Sequence, residues 1–494
     1  MLWDSLKSKY KRMKIVRALF PVFFVLIACT NNKPLPNIVL VITDDQGYGD
    51  LSVHGSPDVY TPNLDKLHEQ SIRFTDFQAS PTCSPTRSAL ETGRSPFKNG
   101  ITHTIYERER MTVDAFTLPQ MLHEAGYVSG IFGKWHLGDE DQHQPENRGY
   151  DRVFIHGAGG IGQKYPCSCA DAPGNTYFNP VIKDQSIFVK TEGFCTDIFF
   201  NEAMKFIWKN GEKEQPFFAR ISTNAPHAPF VAPEEYTKKF ADQGYGGSAQ
   251  GFYGMIENID DNMGLLMENL EKWGLAENTI LIFMSDNGKA LHSDQGKAYG
   301  ANQPAYNAGL RGYKGTVHEG GTKVPFFVRW PDKWDGGRDI ETLASHFDIY
   351  PTLADIIGID LPAPTQVEGR SLLPLLNDGD AEWSDRYRVF HQGRWPVGDE
   401  PNDYQFKNFA IRNERFRLVG IDQLYDIQAD PGEKTNVIEQ HPEVLKAMMA
   451  YYDQWWSEAR PLMVNEGAVM SKIWPFHEKY YAQEKNGGIP DWVK

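Results

Sequence analysis

Two uninterrupted apolar runs in this chain break off into acid. Asn37-Ile38-Val39-Leu40-Val41-Ile42-Thr43 runs into Asp44-Asp45-Gln46-Gly47, and Asn278-Thr279-Ile280-Leu281-Ile282-Phe283-Met284-Ser285 runs into Asp286-Asn287-Gly288. Apolar runs of this length without polar alternation read as strands buried on both faces, hence parallel strands covered by helices. Val128–Phe132, Pro216–Ser222 and Val324–Arg329 also read as strands. Thr61–Leu67, Leu118–Ala125, Thr196–Trp208, residues 252–273 and His346–Ile357 read as helices between them. This alternation predicts an α/β fold, a large mixed and mostly parallel sheet flanked by helices, over residues 37–375. A Pro- and Leu-rich stretch at 359–378 marks a boundary. Beyond it, Arg388–His391, Phe409–Arg412, Arg417–Gly420 and Gln423–Asp426 read as short strands and Pro442–Glu458 as a helix. They predict a small antiparallel sheet with one helix in a C-terminal subdomain, 376–494. The 494 residues suffice for both cores.

Ligands of open α/β sheets gather at the carboxyl ends of strands. Asp44 and Asp45 sit at one such end and Asp286 and Asn287 at another. Adjacent carboxylates there repel unless a cation neutralises them, and four oxygen donors suit Ca²⁺ or Mg²⁺ rather than zinc. The strand over 128–132 empties into Gly133-Lys134-Trp135-His136-Leu137-Gly138, where an extended backbone would put Lys134 and His136 on one face. After the strand over 216–222 comes Pro226-His227-Ala228-Pro229, a histidine with a restricted backbone suited to a positioned acid or base. Lys314 lies in the glycine-rich loop 311–321. Cys83 precedes Ser84-Pro85-Thr86-Arg87, where a helix is expected to begin, with Ser84 as its cap and Pro85 in its first turn. A helix N-terminus favours an anion and lowers a neighbouring thiol's pKa, and Arg87 and Arg94 lie close by in sequence. Each residue alone has a bland reading: a buried thiol, a solvated turn, a loop histidine. Together they describe one pocket, in which Arg87, Lys134 and Lys314 would neutralise a tetrahedral anion.

Charge sharpens that reading. With 50 Lys and Arg against 65 Asp and Glu, the formal net charge is −15, which argues against a nucleic-acid surface and makes a local basic pocket necessary for any anionic substrate. The basic residues Lys9, Lys11, Arg12, Lys14 and Arg17 precede the apolar run Ala18–Ala28, which predicts a signal peptide over 1–28 and export. Initiation at Met13 instead of Met1 would give a more usual signal length. The ending Leu26-Ile27-Ala28-Cys29 is similar to a bacterial lipoprotein signal, so lipidation is expected at Cys29, followed by a linker over 29–36, with the protein anchored in the periplasm or outer membrane. Of five cysteines, Cys167, Cys169 and Cys195 are then left over, leaving room for one disulfide and one thiol in an oxidising compartment. Residues 139–195 read as loops above the sheet. The 139–165 stretch and His391-Gln392-Gly393-Arg394-Trp395 are the candidate recognition segments, with His391 and Arg394 as substrate-binding residues.

Cys83-Ser84-Pro85-Thr86-Arg87, followed by Thr92-Gly93-Arg94, closely resembles the signature of the type I sulfatases of the alkaline phosphatase-like superfamily. Asp44-Asp45-Gln46-Gly47, Gly133–Gly138, Ala225-Pro226-His227, Ser285–Gly288, Lys314 with Glu319-Gly320-Gly321, and Leu424-Tyr425-Asp426 follow in that family's order. Lys323 stands where the family often has Arg. The resemblance implies a sulfuric ester hydrolase in which Cys83 is converted to Cα-formylglycine by a formylglycine-generating or anaerobic sulfatase-maturating enzyme. It further implies that the hydrated aldehyde is the nucleophile, with Arg87 and the cation favouring its ionised form. Lys134 and Lys314 would hold sulfate oxygens, His227 would protonate the leaving alcohol, and His136 would help to release sulfate. One Ca²⁺ would be held by Asp44, Asp45, Asp286, Asn287 and the modified Cys83. Export and aromatic-rich loops point to sulfated polysaccharide fragments, such as algal ulvan, as substrate. The alternatives are a phosphate or phosphonate monoester hydrolase of the same superfamily, and a non-catalytic lipoprotein that binds sulfated glycans with Cys83 unconverted.

Overall fold

The computed structural model describes residues 34–291, 305–361, 366–379 and 381–493. The signal-like segment 1–28 and Cys29 lie outside the described residues. From Leu35 onward the chain forms one compact unit. In chain order the strands are β1 (Asn37–Thr43), β2 (Ile72–Phe74), β3 (Phe77–Gln78), β4 (Val128–Lys134), β5 (Arg152–His156), β6 (Val181–Asp184), β7 (Ile187–Lys190), β8 (Phe217–Ser222), β9 (Thr279–Ser285), β10 (Phe326–Arg329), β11 (Arg338–Ile340), β12 (Ala344–Ser345), β13 (Arg388–His391), β14 (Phe409–Arg412), β15 (Phe416–Val419) and β16 (Gln423–Asp426). The helices are α1 (Pro62–Glu69), α2 (Cys83–Thr92), α3 (Leu118–Glu124), α4 (Cys195–Gly211), α5 (Glu234–Asp242), α6 (Gly247–Lys272), α7 (Glu319–Thr322), α8 (Ile349–Ile357), α9 (Leu373–Asn377), α10 (Pro442–Ala459) and α11 (Pro475–Gly487). None of the described helices is long and apolar enough to cross a membrane.

Ten strands form one sheet in the order β11-β2-β10-β9-β1-β8-β4-β5-β6-β7, with β9, β1, β8, β4 and β5 all parallel at its centre. The unbroken apolar runs follow from burial on both faces. Ile38, Leu40 and Ile42 join one core with α3, α8 and α9, while Val39 and Val41 join the other with α1, α4 and α6. Burying each such side chain stabilises by about 1.5–3 kcal/mol, so the central strands tolerate no polar alternation. The expected α/β architecture is therefore present, as is the separate antiparallel sheet β13-β14-β15-β16. That sheet and α10 enclose an aromatic core of Phe409, Tyr452, Trp455 and Trp456, to which the large unit contributes Phe97.

Three expectations change. The 139–195 region is not all loop: β5 extends the parallel block, and the β6–β7 hairpin closes the sheet antiparallel. Four-residue edge strands carry too little periodicity to stand out from the glycines around them. The chain does not end with α10 either. A tail returns to the large sheet, where α11 buries Phe476 against Phe188 of β7. Finally, Cys83, Cys167, Cys169 and Cys195 are all buried free thiols, so no disulfide forms among the described residues.

Candidate active site

The four adjacent strands β9, β1, β8 and β4 deliver the chemistry at their carboxyl ends. In-register pairing of Thr43 with Ser285 brings Asp44 level with Asp286. Asp45 adopts a left-handed φ of 72°, and its N–H donates to Asp286 Oδ1 at 3.1 Å. Asn287 Nδ2 donates to Asp45 Oδ1 at 2.9 Å, which turns Asn287 Oδ1 away, and that atom is buried with no donor. Asp44 Oδ1 is also buried without a donor. One ligating atom from each of Asp44, Cys83 and Asp286 lies within 4.8 Å of the others. Bare oxygens beside clustered carboxylates are the donor set of a hard cation, so these residues fit Ca²⁺ or Mg²⁺. The electrostatics agree. Burial pushes Asp44 up to about 8; Lys134 opposes the rise, and Asp286 and Asp45 add to it. Burial acts the same way on Asp45, but Lys314, His227 and Lys134 outweigh it and hold that carboxyl below its usual range. Three buried carboxylates thus face Arg87, Lys134 and Lys314. A bound divalent ion would make the pocket positive, as an anionic substrate requires.

Helix α2 begins one step earlier than expected. Thr82, with extended φ and ψ of −150° and 161°, occupies the N-cap position, and Cys83 is the first helical residue. Ser84 is therefore inside the first turn, not its cap. Pro85 still fits there, where backbone N–H groups have no intrahelical partner. All ten residues of α2 are buried, and Cys83 is only 3% exposed. Arg87 lies one turn on, on the same face. Its guanidinium meets Asp286 Oδ2 at 2.7 and 3.1 Å, Ser222 Oγ at 2.8 Å and the Lys134 carbonyl at 3.2 Å. Arg94 is not in the pocket: past the left-handed Gly93 it donates to Asn99 Oδ1 at 2.9 Å.

Lys134 Nζ lies 2.7 Å from Asp44 Oδ2, and Lys314 Nζ lies 2.7 Å from Asp45 Oδ2. His227 places Nε2 3.7 Å from Asp45 Oδ2, and its Nδ1 is 2.6 Å from the Ala228 carbonyl, which fixes Nδ1 as the protonated nitrogen. Burial, with Lys314 second, lowers His227 to about 3. His136 departs from the expected extended geometry. Its φ is +60°, so it reaches the pocket after a turn and not as the strand neighbour-but-one of Lys134. Its Nε2 donates to the Thr104 carbonyl at 2.8 Å, and Nδ1 is buried without a partner. Burial, reinforced by Lys134, holds His136 well below its usual pKa, so the ring is neutral with a free lone pair on Nδ1.

Several supporting residues escaped the sequence reading. Asn224 bridges Asp44 Oδ2 at 3.3 Å and the Ile161 N–H at 2.6 Å. Tyr177 donates its hydroxyl to the His227 carbonyl at 2.7 Å. Gly159 lies so close to His136 that a Cβ would fall 2.4 Å from its Cε1. Of these only Asn224, two residues beyond a strand end, carried a positional signal. Of the two substrate-binding candidates at and beyond the end of β13, His391 is a correction. It is 7% exposed, packs in the aromatic core against Phe97 and Trp456, and puts Nε2 3.2 Å from the Tyr404 carbonyl. Strand alternation turns it inward. Arg394 donates to Thr104 Oγ1 at 2.9 Å, beside the carbonyl that accepts from His136 Nε2.

The family model described as Sulfatase matches residues 36–359, and the C-terminal model of N-sulphoglucosamine sulphohydrolase matches 312–454. N-acetylgalactosamine-6-sulfatase of Canis lupus familiaris is 33% identical over 83% of this chain and 77% of its own. N-acetylgalactosamine-6-O-sulfatase of Bacteroides thetaiotaomicron is 30% identical over 84% of this chain and 92% of its own. Among solved structures, Ps i-CgsB in complex with k-i-k-neocarrahexaose is similar with a TM-score of 0.73 and 27% identity, over 92% of this chain and 97% of that one. The helix-borne cysteine among buried carboxylates and lysines is thus explained by descent as well as by geometry: this chain belongs to the sulfatase family and is a sulfuric ester hydrolase.

Proposed function

We propose that the protein removes sulfate from sulfated glycan fragments, with Cys83 working as formylglycine over one Ca²⁺. The observation that carries this reading is the convergence at the start of α2 of Asp44, Asp45, Asp286 and Asn287, two of them with undonated oxygens, and of three cationic side chains. Asp44, Asp45, Asp286, Asn287 and residue 83 would hold the ion, which would supply positive charge for an anionic substrate. Conversion of Cys83 supplies an aldehyde hydrate, whose hydroxyl can attack sulfur and whose second hydroxyl gives a route for sulfate to leave. A thiolate would keep the sulfuryl group.

The protein's own side chains do the rest. Arg87, buried against Asp286, sets the charge beneath residue 83. Lys134 and Lys314, at the edge of the carboxylate cluster, take sulfate oxygens and offset the charge that develops on them. His227, on the side of Lys314, would give a proton from Nε2 to the departing alcohol once the negative charge of bound sulfate offsets the burial and the Lys314 charge that keep the ring neutral in the free pocket. His136 accepts one at Nδ1. The relatives support the substrate class: two are named as N-acetylgalactosamine-6-sulfatases, and one solved structure holds k-i-k-neocarrahexaose. Ulvan belongs to the same chemical class. Export as a lipoprotein anchored through Cys29, in the periplasm or outer membrane, would bring the enzyme to such fragments.

Sulfate release from ulvan, carrageenan, agaran, fucoidan and chondroitin 6-sulfate oligosaccharides tests the reading; no release from any would sink it. Rates on a sulfate and a phosphate ester of one alcohol separate it from a phosphoryl hydrolase, since faster phosphate release would favour that alternative. Mass analysis of the Cys83 peptide from the native host separates it from a non-catalytic glycan binder, because conversion swaps sulfur for oxygen and removes two hydrogens. Palmitate labelling lost in Cys29→Ser tests the anchor.

A further inference from the structure

Beyond residue 454, outside both family matches, the tail does not simply cover the core. It is pinned to the segments that rim the active site. Asn465 Nδ2 donates to the Gly100 and Arg110 carbonyls at 2.8 and 2.7 Å, the Ser471 N–H to Glu107 Oε1 at 2.7 Å, and Trp474 Nε1 to the Tyr165 carbonyl at 2.8 Å. Tyr165 itself packs with Ile105 and Tyr106 over Cys167 and Cys169. Ile105 and Tyr106 directly follow Thr104, whose carbonyl accepts from His136 Nε2 at 2.8 Å and whose hydroxyl accepts from Arg394. Tyr165 is thus the step from pocket to tail.

On the far side of that step the surface is aromatic and cationic. The Lys164 ammonium stands 3.7 Å over the Trp474 ring. His477 lies against the same ring with centroids 5.2 Å apart, and Tyr481 meets His477 edge-on at 6.0 Å. Residues 474, 477 and 481 share one helix face. Tyr481 is 52% exposed, Lys164 and Lys472 are exposed, and Trp474 and His477 are half-buried. Apart from the Trp474 indole N–H, this face does not anchor α11, because Phe476 is fully buried on the other one and holds the helix. An exposed ladder of rings beside ammonium groups, on a protein of net charge −15, matches a ligand with flat apolar sugar faces and anionic substituents.

We propose that Trp474, His477 and Tyr481, with Lys164, form a remote saccharide subsite that holds the sulfated chain beyond the sugar being desulfated. The proposal rests on the sulfatase reading, and the test separates the two. Affinity electrophoresis in gels containing ι-carrageenan, ulvan or chondroitin 6-sulfate, run on the full chain with Cys83→Ala, measures binding without turnover. At least one polymer should retard the protein. Trp474→Ala and Lys164→Glu should each weaken that binding about tenfold, as loss of a ring contact or a cation on a ring would. Trp474→Phe should keep most of it, and the charge-matched Lys446→Glu on α10 should keep all of it. No retardation by any polymer overturns the proposal. So does equal retardation of all variants, or a loss confined to Trp474→Ala, which would report an unfastened tail. Hydrolysis of 4-methylumbelliferyl sulfate by the unmutated enzyme reads the sulfatase chemistry separately.

Discussion

Lys134 and Lys314 pair with different carboxylates at the same distance, 2.7 Å, yet their surroundings differ. The Lys134 side chain is fully buried, whereas that of Lys314 is 18% exposed. Lys314→Ala should therefore act mainly on catalysis, lowering kcat/KM on a sulfate ester by about 10²–10³-fold with little change in unfolding midpoint. Lys134→Ala should lose comparable activity and also about 3–5 kcal/mol of stability, because it strands Asp44 in the interior. Urea melts beside initial rates distinguish the two. A chelator should abolish activity and lower Tm, and Ca²⁺ should restore both; at a hundredfold excess over Kd the ion would contribute about 2.7 kcal/mol. An unchanged Tm and rate after exhaustive chelation would remove the cation from the account. At this scale most of the residues named from sequence were found together because they stand at or just past a strand end or at a helix start; Lys314 alone of the catalytic set comes from a loop. Tyr177 and Thr104 were not found, because a hydroxyl or carbonyl that holds a histidine leaves no pattern in the chain.

Two glycines show how elements hold the site. A Cβ at Gly288, just past β9, would lie 2.0 Å from the Gly320 carbonyl, against backbone that has nowhere to move. Gly288→Ala should destabilise by about 1–3 kcal/mol or more, read as a fall in urea midpoint. A Cβ at Gly159 would instead meet the end of the His136 side chain, which can swing. Gly159→Ala should leave the midpoint nearly in place and lower kcat by up to about 10²-fold, the cost of a catalytic group displaced by about 1 Å. Equal loss of stability in both variants would contradict this division. Helix and strand identity in the central block was legible, since both faces of each strand are apolar. The β6–β7 hairpin and α11 were not legible: they are edge elements, buried on one side and recognisable only by what they pack against.

Across the whole molecule, the C-terminal sheet grips the catalytic loops through one buried carboxylate. Arg412 of β14 and Arg417 of β15 reach Glu319 at 3.0 and 2.8 Å, five residues beyond Lys314, and Gln78 Nε2 adds a bond at 3.0 Å. Burial alone would raise the Glu319 pKa, but Arg417 and Arg412 outweigh it and hold the carboxyl below its usual 4.5. A depressed folded-state pKa contributes stability that is present above the unfolded value and is lost as pH falls through the folded one. The denaturant midpoint should therefore drop as pH falls below about 4.5, and drop less steeply in Glu319→Gln. At neutral pH that variant should be less stable by up to about 3–5 kcal/mol, because Arg412 and Arg417 lose the carboxylate they share and keep only Asp76 at 2.7 Å and Glu433 at 3.6 Å. Identical pH slopes in the two proteins would exclude Glu319 as the group responsible.

The sequence by itself determined the layered α/β architecture, the four strand ends that carry Asp44, Lys134, His227 and Asp286, and the helix start at Cys83. Those features rest on local periodicity and on residue types confined to a few consecutive positions. Only the tertiary structure decided which nitrogen of His136 is left without a partner, that His391 turns into an aromatic core, that the leftover cysteines stay unpaired, and that the tail returns to the segment that holds His136. Each of these depends on contacts between residues tens or hundreds of positions apart. Such contacts are set by packing and hydrogen-bond satisfaction, which a linear pattern does not contain.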